Sequence, residues 1–376
     1  MRIDMKWNYV FKLVFTLLLC SCSRIQEVGE SDEIQDVSLS EVARILSDLP
    51  LGPEHLAEVH DAVCSSSGNG YDEEYLMSSL FNAPGCGVGS STTKAGSYPH
   101  PLRDLFRDYL LAGGTKAGST HADVEAYINR LINSSAQLYW PFSEDWDGKT
   151  YPIVTFDPGY GAESNYGYEI KVGKDGVRVI DSVYVDESVA EQRPVWVINT
   201  NDDSAFTPLE MYTGTKSETS GESLYMKTFK AKRNYDSWFG GASEYFVKIG
   251  AVDGFKASSD EDLRLYTPTV TDFMISVRRR DVGKELPFEV LLLSEVTDQM
   301  DKVAFLITED DGGETKNWKC EAQVKFKSKT YGFDIDIPYK DKDDIVWRGQ
   351  LSMSMFPSRK NVVGHFGDVE IGFRKE

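Results

Sequence analysis

The sequence predicts an α+β protein of several domains: a small N-terminal helical domain, a β-rich middle region and a C-terminal β-sandwich. Three observations predict it. Apolar residues recur at helical spacing as far as residue 134, and short aromatic and β-branched runs punctuated by turn residues follow from Leu138. The length suits two or three domains.

Residues 1–21 read as a secretory signal. Arg2, Lys6 and Lys12 make a positive start, and Leu13–Leu19 makes an apolar run far short of the ~20 residues that a bilayer crossing needs. Leu19-Cys-Ser-Cys22 resembles the lipobox of bacterial lipoproteins, in which a small residue precedes the cysteine that is diacylated. Ser21 fits that place before Cys22, whereas bulky Leu19 precedes Cys20. The resemblance implies a diacylglyceryl and palmitoyl anchor on Cys22, hence an outer-membrane lipoprotein of the bacterial cell envelope held by more than one acyl chain. Residues 22–37 are acidic and poor in large apolar side chains, so a flexible tether is expected. An acidic stretch just after the lipidated cysteine also resembles the surface-export signal of Bacteroides-type lipoproteins, which implies exposure at the cell surface.

The helical domain is expected over residues 38–134. Ser38-Leu-Ser-Glu41 has capping-box spacing, and Leu39, Val42, Ala43, Leu46 and Leu49 follow one helical face. Pro53 suits a first helical residue, ahead of Leu56, Val59 and Val63. Three more helices are expected, over Asp72 to Phe81, Leu102 to Ala112 and Asp123 to Ile132. Strands are then expected at Ile153–Phe156, Val177–Ile180, Val195–Ile198, Phe246–Ile249, Phe273–Val277, Val303–Ile307, Ala322–Phe326 and Leu351–Met355. The hydrophilic stretch 217–222 divides them into a middle region, 135–222, and a sandwich, 223–376.

The formal charge is −20, and removing residues 1–21, which carry Arg2, Lys6 and Lys12 against Asp4, takes it to −22. Such a chain is repelled by nucleic acid and by anionic headgroups, so no nucleic-acid partner is expected. Cys64, Cys86 and Cys320 remain beyond the signal. In an oxidising envelope Cys64 and Cys86 are the candidate disulfide, both lying in the helical segment. No CxxC spacing occurs, so zinc-ribbon and thioredoxin chemistry have no carrier.

The acidic loops are the first chemical signal. Tyr339-Lys-Asp-Lys-Asp-Asp-Ile-Val-Trp-Arg-Gly-Gln-Leu351 resembles the aspartate-rich loop of C2 domains, with one residue fewer between the carboxylates and with Lys340 and Lys342 interleaved. The resemblance implies a C2-like sandwich over 223–376 and calcium held by Asp341, Asp343 and Asp344. Glu309-Asp-Asp-Gly-Gly-Glu314 is a second such loop and adds Asp310 and Asp311. Calcium takes six to eight oxygen ligands, which loops of this kind can supply. Asp236, Glu244 and Asp253 sit near a third set of strands.

Asp236, Trp238, Gly241 and Glu244 form a D-x-W-x-x-G-x-x-E stretch that resembles the opening of the C-terminal β-domain in uncharacterised surface-lipoprotein families of Bacteroides-type bacteria. Leu138–Gly148 and the segments from Tyr184 to Ile198 resemble the same families, which implies the layout and the location but no chemistry. Trp140, Trp146 and Trp238 are candidates for a surface that stacks on a protein or glycan ligand, with Trp140 and Trp146 expected to be the most exposed.

Catalytic signals are thin. Ser91-Thr-Thr-Lys94 has the S-x-x-K spacing of penicillin-recognising enzymes but falls in a glycine-rich stretch without the partner motifs. His55 and His60 are five apart and so do not share a helical face as metalloprotease histidines do. Two functions follow as expectations. One is a non-catalytic, lipid-anchored surface protein that binds a ligand or partner; the other is a secreted hydrolase of peptide or glycan whose centre the sequence does not identify.

Overall fold

The apolar faces of the N-terminal helices find their partner in a β-sheet. The structure, a computed structural model, describes residues 37–66, 73–82, 98–114, 120–173, 177–201, 206, 208–209 and 222–376. The signal, Cys22, the tether up to residue 36, Cys86, Ser91 and Lys94 lie outside the described residues, as do positions 217–221 of the expected joint. Among the described residues no helix is long and apolar enough to cross a membrane.

Helices α1 (Leu39–Asp48) and α2 (Pro53–Ser65) begin as the sequence predicts. The Ser38 hydroxyl accepts from Glu41 N, and Pro53 occupies the first turn of α2. The expected helix over 72–81 is corrected. Glu74–Leu76 forms strand β1, paired antiparallel with β2 (Ala136–Tyr139), and only Met77–Phe81 is helical (α3). Glu73 sits at φ +81 and its carbonyl accepts from Trp140 N, so the edge pairing overrides the helical pattern. Helices α4 (Leu102–Leu111) and α5 (His121–Ile132) complete the layer.

The first sheet adds β3 (Ile153–Phe156), β4 (Ser164–Val172), β5 (Arg178–Asp186) and β6 (Val195–Thr200), in the order β1-β2-β6-β3-β4-β5. Only β3 and β6 run parallel. Short helix α6 (Glu187–Ala190) links β5 to β6. Strand β6 is buried on both faces, as period-two alternation in an all-apolar run requires. Trp196 and Ile198 pack with the helices, and Val195 and Val197 pack on the opposite side against Trp238 and Phe239. The boundary expected near residue 135 therefore falls inside one shared core, and Val37–Glu376 forms one compact unit.

The C-terminal part is β-rich, as expected. Strands β7 (Leu224–Ala231), β10 (Leu286–Leu293), β15 (Asn361–Phe366) and β16 (Val369–Lys375) form one antiparallel sheet, ordered β10-β7-β16-β15. A second contains β8 (Ser243–Ala251), β9 (Thr269–Val277), β11 (Met300–Glu309), β12 (Thr315–Phe326) and β13 (Lys329–Lys340), with β14 (Asp344–Ser352) on β11. Their inner faces share one apolar core, in which Phe305 meets Phe366 at 5.2 Å and Phe373 at 6.1 Å between ring centroids.

A buried acid lies inside the helical layer. Glu58 is 2 % exposed and its Oε2 accepts from Leu102 N at 2.7 Å, capping α4 from a different helix. Burial raises its carboxyl to about 7. Because the folded value lies above the ~4.3 of an unfolded chain, the stability linked to Glu58 is fully present below that value and lost as pH rises toward 7. Glu58→Gln keeps an acceptor for Leu102 N and removes the titration. Urea unfolding is expected to show this variant gaining on the native protein by roughly 2 kcal/mol between pH 5 and pH 8.

Candidate metal centre

Strand register brings the acidic residues together. Glu309, the last residue of β11, pairs with Asp344 at the start of β14 and with Tyr245 of β8 on its other side. Asp311 follows two residues on, in the β11–β12 loop. One oxygen from each of Glu309, Asp311 and Asp344 lies within 4.8 Å of the others. Asp236 approaches from the Asn234–Ala242 loop and faces Glu309.

Several contacts fix that loop. Trp238 inserts beneath the first sheet and donates from Nε1 to Glu163 O at 2.9 Å. Asn199 Nδ2 donates to Phe239 O and Gly240 O at 3.0 and 3.2 Å. The fully buried Glu74 accepts from Ala242 N and from Gln137 Nε2, which offset the burial that raises its carboxyl to about 7. Gly241 has φ +94, and a Cβ there would collide with Glu74 Oε1. Arg279 grips Glu187 with two hydrogen bonds, at 2.7 and 3.1 Å, and donates from Nη1 to Asp236 O at 3.0 Å.

Electrostatically the cluster is short of cations. Glu309 is 0 % exposed and neither carboxylate oxygen receives a hydrogen bond. The Ser243 hydroxyl beside it donates to Asn234 Oδ1 instead. Burial and then the Asp236 carboxylate push the Glu309 carboxyl far above its ordinary range. Burial likewise raises Asp236 to about 6, and its Oδ2 is without a partner. Asp311 is raised by burial and by Asp344 and Asp310. Adjacent carboxylates that cannot all ionise must take up protons or a cation.

The five aspartates expected to hold calcium divide. Asp311 and Asp344 join the cluster. Asp341 Oδ1 accepts from Glu314 N at 2.9 Å and braces the neighbouring hairpin, outside the cluster. Asp310 Oδ2 accepts from Lys340 Nζ at 3.0 Å, so one interleaved lysine does neutralise a carboxylate. Asp343 Oδ2 accepts from Lys340 N, while Oδ1 of Asp310 and Oδ1 of Asp343 are buried without hydrogen bonds. Asp253, from the third acidic set, ties down Ser294 and Glu295 in a turn elsewhere. Glu309 itself was not among the expected ligands. Its signal was present: alternation along β11 puts an acid on the face of Val303, Phe305 and Ile307.

A polar cleft of about 250 Å³ opens beside the cluster, between Asp236, Asp310 and Asp311 on one wall and Gln137, Thr200 and Asn201 on the other. Oxygen donors of this kind suit a hard divalent cation: Glu309, Asp311 and Asp344 would hold it, with Asp236 behind them.

The aromatic candidates are partly corrected. Trp140 is 0 % and Trp238 1 % exposed, because both fill faces of the first sheet, and only Trp146 reaches the surface. Cys64 Sγ lies 3.5 Å from His60 Nε2, a cysteine–histidine approach that follows from their i, i+4 spacing on α2. Burial raises this thiol, and His60 Nε2 is also 3.0 Å from Ser143 O, so the pair lacks the features of an activated nucleophile. The partner expected for Cys64, Cys86, lies outside the described residues.

No family model, no curated protein and no solved structure matches this chain.

The close approach at Gly241 yields a direct expectation. Gly241→Ala must relieve both the positive φ and the collision with Glu74, and is expected to lose about 1–3 kcal/mol in urea unfolding.

Proposed function

We propose that this chain is a lipid-anchored, non-catalytic protein of the cell envelope that binds a calcium-class cation where its two β-regions meet. The observation that carries the cation reading is Glu309: a fully buried carboxyl group crowded by the Asp236 carboxyl and converging with Asp311 and Asp344. Without a cation Glu309 is relieved by holding a proton far above its ordinary range; a divalent ion would displace that proton and supply the compensation instead. Of the acidic loop that resembles C2 domains, Asp344 is the aspartate that joins the cluster. The envelope location is supported by the lipobox at Cys22 and the acidic stretch behind it.

Calcium supplies charge neutralisation and fixes the loops; this chain supplies the oxygens and the shape. The carboxylates come from three separate segments, so occupancy ties the β11–β12 loop and the start of β14 to each other, with Asp236 alongside. That is the work expected of a structural or ligand-organising ion.

Thermal unfolding of the full chain in detergent, with calcium chloride or with chelator, tests the site. At about a hundredfold excess over Kd, linkage gives about 2.7 kcal/mol, a rise on the order of 4 °C for a chain of this length. Glu309→Gln, neutral and nearly isosteric, is expected to abolish the rise. A native midpoint unmoved by millimolar calcium would remove the cation reading.

For the anchor, Cys22→Ser is expected to abolish incorporation of labelled palmitate and to move the chain from the membrane to the soluble fraction. Undiminished labelling in that variant would overturn the assignment of Cys22.

A further inference from the structure

A second cleft, of about 480 Å³, lies where β2 ends and β6 begins, away from the carboxylate cluster. Its volume falls in the range of small-ligand sites. Trp146 lines it as the one half-buried indole of the three aromatic candidates. That ring is held from below. Trp140 meets it edge-on with centroids 5.3 Å apart, and His60 supports it at 5.1 Å. The His60 ring is in turn within hydrogen-bonding reach of Ser143 O, at 3.0 Å.

The turn that carries Trp146 is equally fixed. Trp146 Nε1 donates to Thr150 O at 2.9 Å. Asp147 accepts from Lys149 N, Thr150 N and Thr150 Oγ1 at 2.7–2.9 Å, and these bonds hold its carboxyl below the ordinary range. With its own N–H engaged, the indole has a flat apolar surface to offer and no donor.

Around this surface stand planar polar groups of both kinds. Asp145 and Glu191 are exposed acceptors. Gln192 is exposed, with Nε2 on Ser188 O at 2.9 Å, which leaves its amide oxygen toward solvent contacts. Arg193 is anchored by Glu169 at 2.6 Å and keeps further N–H groups for a ligand. A rigid indole ringed by bidentate donors and acceptors matches one chemistry closely. A sugar ring has an apolar C–H face that stacks on an aromatic, and a periphery of hydroxyls that both donate and accept.

We propose that the Trp146 cleft is a carbohydrate-binding site, with the indole as the stacking platform and Asp145, Glu191, Gln192 and Arg193 reading the hydroxyls of a pyranose. Asp147 is committed to its own turn, and the burial-raised thiol of Cys64 lies beneath the aromatic floor instead of in the cleft. A cationic amine would also be drawn to an indole beside the carboxylates of Asp145, Asp147 and Glu191, and the tetramethylammonium arm of the test separates the two ligand classes. The proposal rests on residues separate from the cation cluster, so either can fail without the other.

The test is affinity electrophoresis of the full chain in detergent, through native gels cast with mannan, dextran, xylan or mixed-linkage β-glucan, in chelator. Retardation by at least one polysaccharide is expected, weakened at least tenfold by Trp146→Ala and largely kept by Trp146→Tyr. Since Trp146 also packs on Trp140 and His60, Glu191→Gln and Gln192→Ala supply a second arm that leaves the aromatic floor intact. Each is expected to weaken retardation several-fold with the thermal midpoint unchanged. Three results would overturn the proposal: passage of the native chain unretarded through all four gels, retardation unaffected by Trp146→Ala or by both rim variants, or quenching of indole fluorescence by tetramethylammonium but by none of the polysaccharides.

Discussion

The insertion of Trp238 and Phe239 beneath the first sheet is the contact on which the rest of the arrangement depends. These side chains belong to the C-terminal half in sequence, yet they bury against Tyr139, Ile153, Val195 and Val197. Aromatic side chains bury about 150–250 Å² each, so at ~25 cal/mol per Å² the pair contributes several kcal/mol. Apolar burial alone has no direction. Direction comes from Glu74 and Asn199, whose side chains capture backbone groups of the same loop on either side of Gly241. With the loop so held, Asp236 has one place to be, and that place faces Glu309.

The carboxylate cluster is then a consequence of register. A slip of one residue in the β11–β14 pairing would turn Glu309 away from Asp344. Burying an acid at the end of an otherwise apolar strand destabilises the fold unless something compensates it. Arg279 acts on Asp236 and Lys342 on Asp311, while Lys340 of the same loop is engaged by Asp310. Strongly perturbed carboxyls gathered beside a cleft are candidates for a functional site. Asp310 and Asp343 illustrate the contrast: Lys340 serves both, through its side chain and its backbone, and they brace the loop around the cluster.

Much of the fold was legible in the sequence because local rules govern it. Helices α1 and α2 begin at the capping serine and the first-turn proline, and Ile153–Phe156 forms a strand with the expected bounds. Where the reading departed from the structure, a long-range contact had won. Glu74–Leu76 carries a helical pattern but pairs with a strand more than sixty residues away. Trp140 stands in a loop-like stretch, yet the helical layer needs a large side chain to fill its contact with the sheet. The expected helical domain and the β-rich middle share that core, a fact that no composition shift along the chain can reveal. The acidic loops were visible as loops, whereas the ligand set was not. Asp341 and Asp344 are three residues apart, and only the pairing of β11 with β14 separates a hairpin brace from a member of the cluster.

The two clefts are related through the same strands. Strands β2 and β6 run antiparallel at the centre of the first sheet, with Gln137 opposite Asn199. Gln137 at the start of β2 and Thr200 at the end of β6 face the acidic cleft. Trp140, just past the end of β2, and Pro194, just before β6, line the aromatic one. The clefts therefore open at opposite ends of one strand pair, three residues apart along β2 and six along β6, or about 10–20 Å. The strand pair between them is buried on both faces, over Ala136–Tyr139 and over Val195–Asn199, and close packing makes it stiff. Two such sites on one support would serve as separate attachment points. On the envelope protein proposed above, an ion would set the loops at one end while a ligand would be held at the other.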